Sequence, residues 1–194
     1  MISAVVCAKE LGVAERWEAA GLARESFEEY FDKLGLPEDV LLRILETEFL
    51  EPATELSCTR VALDVEERVV GVVTAFPSAE IVERQQATLF HLLSSIDDDA
   101  AERVLQMSGC HRNGVPPAPR GSYYLARFAV TKSRRGSGDA ALMFQGFREA
   151  ARSFATIALH VNRANVRAQA FYSKQGMLPY GPADLEYLCL SATL

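Results

Sequence analysis

The chain has 194 residues, 49% of them hydrophobic and 24% charged, with a formal net charge of −6. That length supports one domain with a sizeable core, and that balance excludes a disordered or fibrous chain. The acidic charge argues against nucleic acid or an anionic membrane as the main partner, and the scattered Cys7, Cys58, Cys110 and Cys189 form neither a zinc-type CxxC pair nor a disulfide framework.

The first ten residues carry no basic leader, and the apolar run from Val69 to Phe76 is far too short to span a bilayer. A cytoplasmic protein without a membrane partner is expected. ISAVVCA (2–8) is short, apolar and β-branched, which predicts a strand. In 14–35, Trp17, Ala20, Phe27, Phe31 and Leu34 recur at spacings of three, four or seven, which predicts one amphipathic helix closed by Gly35. Pro37 suits the first turn of a second helix over PEDVLLRILETEFL.

Two β-rich runs flank a charged turn at 64–68 and predict a hairpin over 58–76. The segment 77–121 starts with the helix-like IVERQQATLFHLLSSI. A second short helix follows over DDAAERVLQM, where Asp99 and Glu102 have capping-box spacing. SGCHRNGVPPAPRGS is rich in Gly and Pro and reads as a loop. Beyond it come a strand (122–130), a glycine-rich turn, a helix over about 139–153, a strand (156–161), a helix (165–176) and a last strand (185–192). No repeat or linker divides 1–194, so a single domain is expected.

The turn RRGSGDA (134–140) links a strand to a helix N-terminus. Free N–H groups and the helix dipole make such a junction an anion site, and Gly136 and Gly138 let backbone approach a phosphate. The turn has neither the GK[ST] ending of a P-loop nor a GxGxxG fingerprint. A plain surface turn with solvated arginines is the alternative.

The pattern Arg135-x-x-Gly138-x-Ala140 follows the strand FAV (128–130). Downstream stands LHVNRANVRAQAFYSKQGM (159–177), with Leu159, Val161, Asn165, Ala168, Phe171, Tyr172, Gly176 and Met177 at fixed spacing. On these residues the sequence resembles the GNAT acyltransferase superfamily, most strongly over 122–177. The resemblance implies an α/β fold with a mixed, mostly antiparallel sheet of about seven strands flanked by helices. Here a helical insertion at 77–121, between strands three and four, would shape the acceptor site. Strands four and five should splay apart to admit a cofactor arm.

The resemblance further implies acetyl-CoA as acyl donor and a primary amine of a small molecule or peptide as acceptor. No metal is implied, and a homodimer is a family-level expectation. Arg135, Gly136, Ser137, Gly138, Asp139 and Ala140 would hold the pyrophosphate. Phe128, Ala129 and Val130 would present backbone to the pantetheine arm, Asn165 would hydrogen-bond the cofactor, and Tyr172 would be the general acid. Each has a plainer alternative: Asn165 as a helix cap, Tyr172 as a packed ring, Arg134 as a solvated side chain.

The sequence departs from the family pattern at two places. The strand before FAV carries Ala126 and Arg127 where many relatives have a glutamate base, with Arg127 expected to face solvent or play a structural part. The base is left among His91, His111, the carboxylates of the first helices and Asp97 to Asp99. Asp139 puts a carboxylate beside the pyrophosphate site, unless it points away and complements the helix dipole. The missing glutamate leaves a non-catalytic CoA-binding module as the alternative function.

Overall fold

The β-branched runs are short and separated by turns or amphipathic helices, so they assemble into one sheet covered on both faces. The computed structural model describes residues 2–182 and 184–194, and at Cys110, His111 and Arg112 the backbone alone. The sheet runs β1 (Ile2–Cys7), β2 (Thr59–Asp64), β3 (Val69–Pro77), β4 (Tyr123–Val130), β5 (Thr156–Asn162), β7 (Tyr187–Thr193), β6 (Leu178–Tyr180). Among the described residues only β4 and β5 pair in parallel. This is the expected mixed, mostly antiparallel sheet; β6, three residues long with Pro179 inside, is too short to leave a pattern in the sequence.

Helices α1 (Val13–Glu25), α2 (Glu28–Leu34) and α3 (Glu38–Glu48) lie between β1 and β2. The expected insertion between β3 and β4 holds α4 (Ile81–Leu93) and α5 (Asp98–Asn113). These helices bury Leu22, Phe31, Leu41, Ile44, Leu45 and Val104 against Val61 and Val72. On the opposite face, α6 (Asp139–Ala150) and α7 (Val166–Lys174) bury Phe144, Phe147 and Tyr172 against Leu125, Ile157 and Leu159. Alternation along the strands sorts the cores: Val61 faces one and Ala62 the other.

Four expectations are corrected. The helix over 14–35 is two helices, because Phe27 leaves the helical region (φ −141°, ψ 38°) to stack on Tyr30 at 4.8 Å and meet Arg127 at 4.7 Å. No Gly or Pro marks that break. Trp17, placed on the apolar stripe, is 36% exposed, and the small Ala19, Ala20 and Ala23 fill the interface instead. Part of the region read as loop, 108–113, continues α5. Its cap is Asp97, whose Oδ1 accepts from Ala100 N at 2.8 Å, rather than Asp99. Gly35 does close its helix in the left-handed region (φ +66°).

β4 and β5 pair only at Tyr123↔Ile157, Tyr124↔Ala158 and Leu125↔Leu159. β4 then continues to Val130 along β3, and β5 to Asn162 along β7, so the sheet opens as a wedge. At the mouth of the wedge β4 bulges: Leu125 faces Ala75 and Arg127 faces Thr74, which leaves Ala126 as the extra residue. A bulge re-aims the side chains beside it. No helix among the described residues is long and apolar enough to cross a membrane.

Candidate active site

The wedge opens into a cavity of about 550 Å³. One wall is Tyr124–Phe128 of β4, His160–Asn162 of β5, and Asn165, Ala168 and Tyr172 around α7. The facing wall comes from the α1–α3 region and from the 77–121 insertion, including Thr88, Leu89, Ser108 and Val115–Ala118.

Tyr172 packs among Phe128, Phe144 and Phe171, with ring centroids 5.3–6.4 Å away. Burial pushes its phenol well above the usual tyrosine range, so the hydroxyl keeps its proton at neutral pH. Among the described residues that hydroxyl makes no hydrogen bond, while the residue lines the cavity. Tyr124 is equally protonated and contacts His160 Nδ1 at 2.9 Å. Asn165 does cap α7, its Oδ1 accepting from Ala168 N at 3.0 Å, and it also lines the cavity.

At the strand position lacking a glutamate, Arg127 takes the structural one of its two expected roles. Arg127 does not face solvent. Its guanidinium pairs with Glu55 Oε2 at 2.7 Å and lies over the Phe27 ring. Beside this pair Glu48, at the end of α3, is 3% exposed. Glu48 Oε1 accepts from Thr88 Oγ1 at 2.7 Å and Leu56 N at 3.3 Å. Burial, reinforced by the Glu55 charge, raises its carboxyl from 4.5 to about 7. A sequence sign of Glu48 exists: it lies seven, four and three residues after Leu41, Ile44 and Leu45, a charge on the buried stripe.

The other base candidates are otherwise engaged. His91 Nε2 sits 3.2 Å from both Thr47 Oγ1 and the Ile44 carbonyl, a structural histidine bridging two helices. Asp97 caps α5. The side chain of His111 lies outside the described residues.

The glycine turn stands apart from the cavity lining. Gly136 and Gly138 have φ of +86° and +93°, a left-handed backbone that favours glycine, and open space lies where a side chain would project from either. Gly138 precedes α6, and the N–H groups of Ala140 and Ala141 in its first turn find no acceptor among the described residues. Ser137 Oγ donates to the Arg134 carbonyl at 2.7 Å and accepts from Asp139 N at 3.2 Å, holding the turn.

Arg134 is not a solvated side chain: it donates to the buried Asp64 at 2.8 Å and lies 3.8 Å from Asp139. Asp64 also takes Arg68 and two hairpin N–H groups, which hold its carboxyl far below the usual range. Asp139 is 8% exposed, so its charge is drawn toward Arg134 rather than presented to solvent over the turn. Arg135 pairs with Glu25 at 2.9 Å. Of the three β4 residues, Phe128 lines the cavity, Val130 is buried with Ala62 and Met143, and Ala129 packs against the α1–α5 core.

Among the described residues the site is framed by a seven-stranded sheet split between its only parallel pair, with a strand–glycine turn–helix on one flank. The sequence model of the acetyltransferase (GNAT) family matches residues 22–177, and the chain belongs to that family. Among solved structures, the N-acetyltransferase of Staphylococcus aureus Mu50 is similar over 98% of this chain and 100% of its own, with a TM-score of 0.74 and 19% identity. A histone acetyltransferase HPA2-related protein of Corynebacterium glutamicum aligns over 98% and 96%, with a TM-score of 0.59 and 20% identity. The PaiA N-acetyltransferase of Thermoplasma acidophilum, solved with coenzyme A, aligns over 98% of both chains, with a TM-score of 0.55 and 10% identity. No curated protein matches in sequence.

Proposed function

We propose that this GNAT acetyltransferase transfers acetyl from acetyl-CoA to a primary amine of a small molecule or peptide, by direct attack in a ternary complex. The observation that carries the reading is a cavity-lining Tyr172 beside the stretch of β4 that β5 leaves unpaired. The open glycines and the acceptor-less N–H groups of α6 fit a pyrophosphate, with Arg135, Gly136, Ser137, Gly138, Asp139 and Ala140 forming the cradle. Arg135 and Glu25 are each about one-third exposed, so exchanging that pair for a phosphate costs about 0–1 kcal/mol.

Bound acetyl-CoA supplies a thioester-activated acetyl group. Phe128, Ala129 and Val130 present the open edge of β4 to the cofactor arm, and a backbone N–H there stabilises charge developing on the carbonyl oxygen. Asn165 keeps its Nδ2 for the cofactor while Oδ1 caps α7. Tyr172 holds its proton at Oη, ready for the leaving thiolate. The insertion lines the facing wall and selects the acceptor.

Thermal unfolding tests this directly. Acetyl-CoA at about one hundred times its Kd stabilises the fold by about 2.7 kcal/mol, a midpoint rise of roughly 5–10 °C for a domain of this size. ATP and NAD at equal concentration should give no such shift. Acceptor-dependent thiol release, strongly reduced in Tyr172→Phe, completes the test; absence of any acetyl-CoA shift refutes the reading.

A further inference from the structure

The family position for a base is filled by an arginine, and the cavity carries a surplus of negative charge. Among the described residues its lining holds five carboxylates and one arginine, Arg127; Glu25 is paired from outside the lining with Arg135 and Lys132, and Glu28 with Arg24, which leaves Glu29, Glu48 and Glu55 to Arg127. Arg127 is committed to Glu55 at 2.7 Å. The nearest cations on α4 are also committed elsewhere: Arg84 binds Glu80 and the Thr54 carbonyl, and His91 bridges to α3. Two buried glutamates therefore share one guanidinium.

Glu48 is built for one further partner. Among the described residues both hydrogen bonds it accepts fall on Oε1, and Oε2 accepts none. Thr88 fixes the carboxylate in turn, because its Oγ1 accepts from Glu55 N at 2.9 Å and so turns its proton toward Glu48. The rest of the cavity is largely apolar and aromatic, with Phe27, Tyr30, Leu89 and Tyr187 among its walls. Tyr124, Tyr172 and His160 face the same space from β4, α7 and β5.

We propose that Glu48 Oε2 seats the ammonium group of the acceptor and takes its proton, and that the acceptor is a primary amine carried on an apolar stem. The proposal rests on the acyl-transfer reading above. The step balances as an ammonium and a carboxylate becoming a neutral amine and a carboxylic acid; the proton later leaves to solvent. Burial raises the proton affinity of a carboxyl and lowers that of an ammonium, so the wall that holds Glu48 brings the two toward each other. Glu55 and Arg127 remain an ion pair and orient the wall.

The experiment uses the full chain, acetyl-CoA, and four probe amines: 2-phenylethylamine, n-hexylamine, glycinamide and aspartate. The two apolar amines should bind and be acetylated best, and aspartate worst. Glu48→Gln keeps an acceptor oxygen for Thr88 and Leu56. It should lower kcat by roughly 100- to 10,000-fold. It should also abolish the acid limb of the kcat/KM pH profile near 7, weaken 2-phenylethylamine binding measured by calorimetry, and leave the acetyl-CoA thermal shift intact. Thr88→Val removes the bond that lowers the Glu48 pKa, so the acid limb should move to higher pH while the alkaline plateau holds.

A Glu48→Gln enzyme with unchanged rate, limb and amine binding overturns the proposal. So does a Thr88→Val limb that stays in place, or a preference for aspartate. If wild type shows no acetyl-CoA shift, the acyl-transfer reading falls and this proposal with it. An intact shift with a silent Glu48→Gln sinks the proposal alone.

Discussion

Glu48 ties the site to stability. Its carboxyl rises from 4.5 to about 7 on folding, because burial outweighs the hydrogen bonds from Thr88 and Leu56 and the Arg127 charge. The native state then binds a proton that the unfolded chain has released between those two pH values. Stability from this group is fully present below about 4.5 and is lost as pH rises through about 7. At about 1.4 kcal/mol per pH unit the whole loss is about 3 kcal/mol, of which roughly 2–3 falls between pH 5 and pH 8. Glu48→Gln is neutral throughout and retains an oxygen acceptor, so it should lack this loss. The assay is urea or thermal unfolding of wild type and variant at pH 5, 6, 7 and 8, in which titrating groups not coupled to Glu48 cancel. Relative to wild type, the variant midpoint should climb by roughly 5–10 °C between pH 5 and pH 8. Parallel stability curves across that range would refute the buried, poorly compensated carboxylate.

Gly138→Ala forces a side chain into a backbone at φ +93°, and should cost about 1–2 kcal/mol in urea unfolding while weakening acetyl-CoA binding by calorimetry. In Gly71→Ala the new methyl would sit 2.5 Å from Met143 Sδ and 3.0 Å from the Ala129 carbonyl, an overpacking cost of about 1–3 kcal/mol. Trimming Met143 in the same chain should recover part of it, since the closest clash is with the end of a flexible side chain. Arg127→Met strips Glu55 of its partner in a wall where that side chain is 4% exposed, with an expected loss of about 3–5 kcal/mol at neutral pH. Phe144→Ala should cost about 3–5 kcal/mol, because the ring is fully buried between α6, α7 and the sheet.

Much of the architecture was legible from local pattern. Apolar periodicity marked six of the seven strands and the main helices, Gly35 marked a helix end, and the spacing from Arg135 to Met177 carried the family. Those features are written in neighbouring residues: a helix needs its stripe at three and four, a strand its alternation, a phosphate turn its glycines. The sequence by itself therefore determined the order of those elements, the strand–turn–helix junction and Tyr172 on the last motif helix.

Tertiary structure decided what depends on residues far apart in the chain. Arg134 reads as solvated until Asp64, seventy residues earlier, is brought to 2.8 Å. Phe27 breaks its helix to meet Arg127 of β4, a contact no local rule anticipates. Glu48 was one carboxylate among many in the first helices. Only the packing of α3 against Thr88 of α4 and Arg127 of β4 made it a buried group on a cavity wall. A charge gains or loses its proton according to the water and partners that folding removes or supplies, and those are properties of the assembled wall rather than of any stretch of sequence.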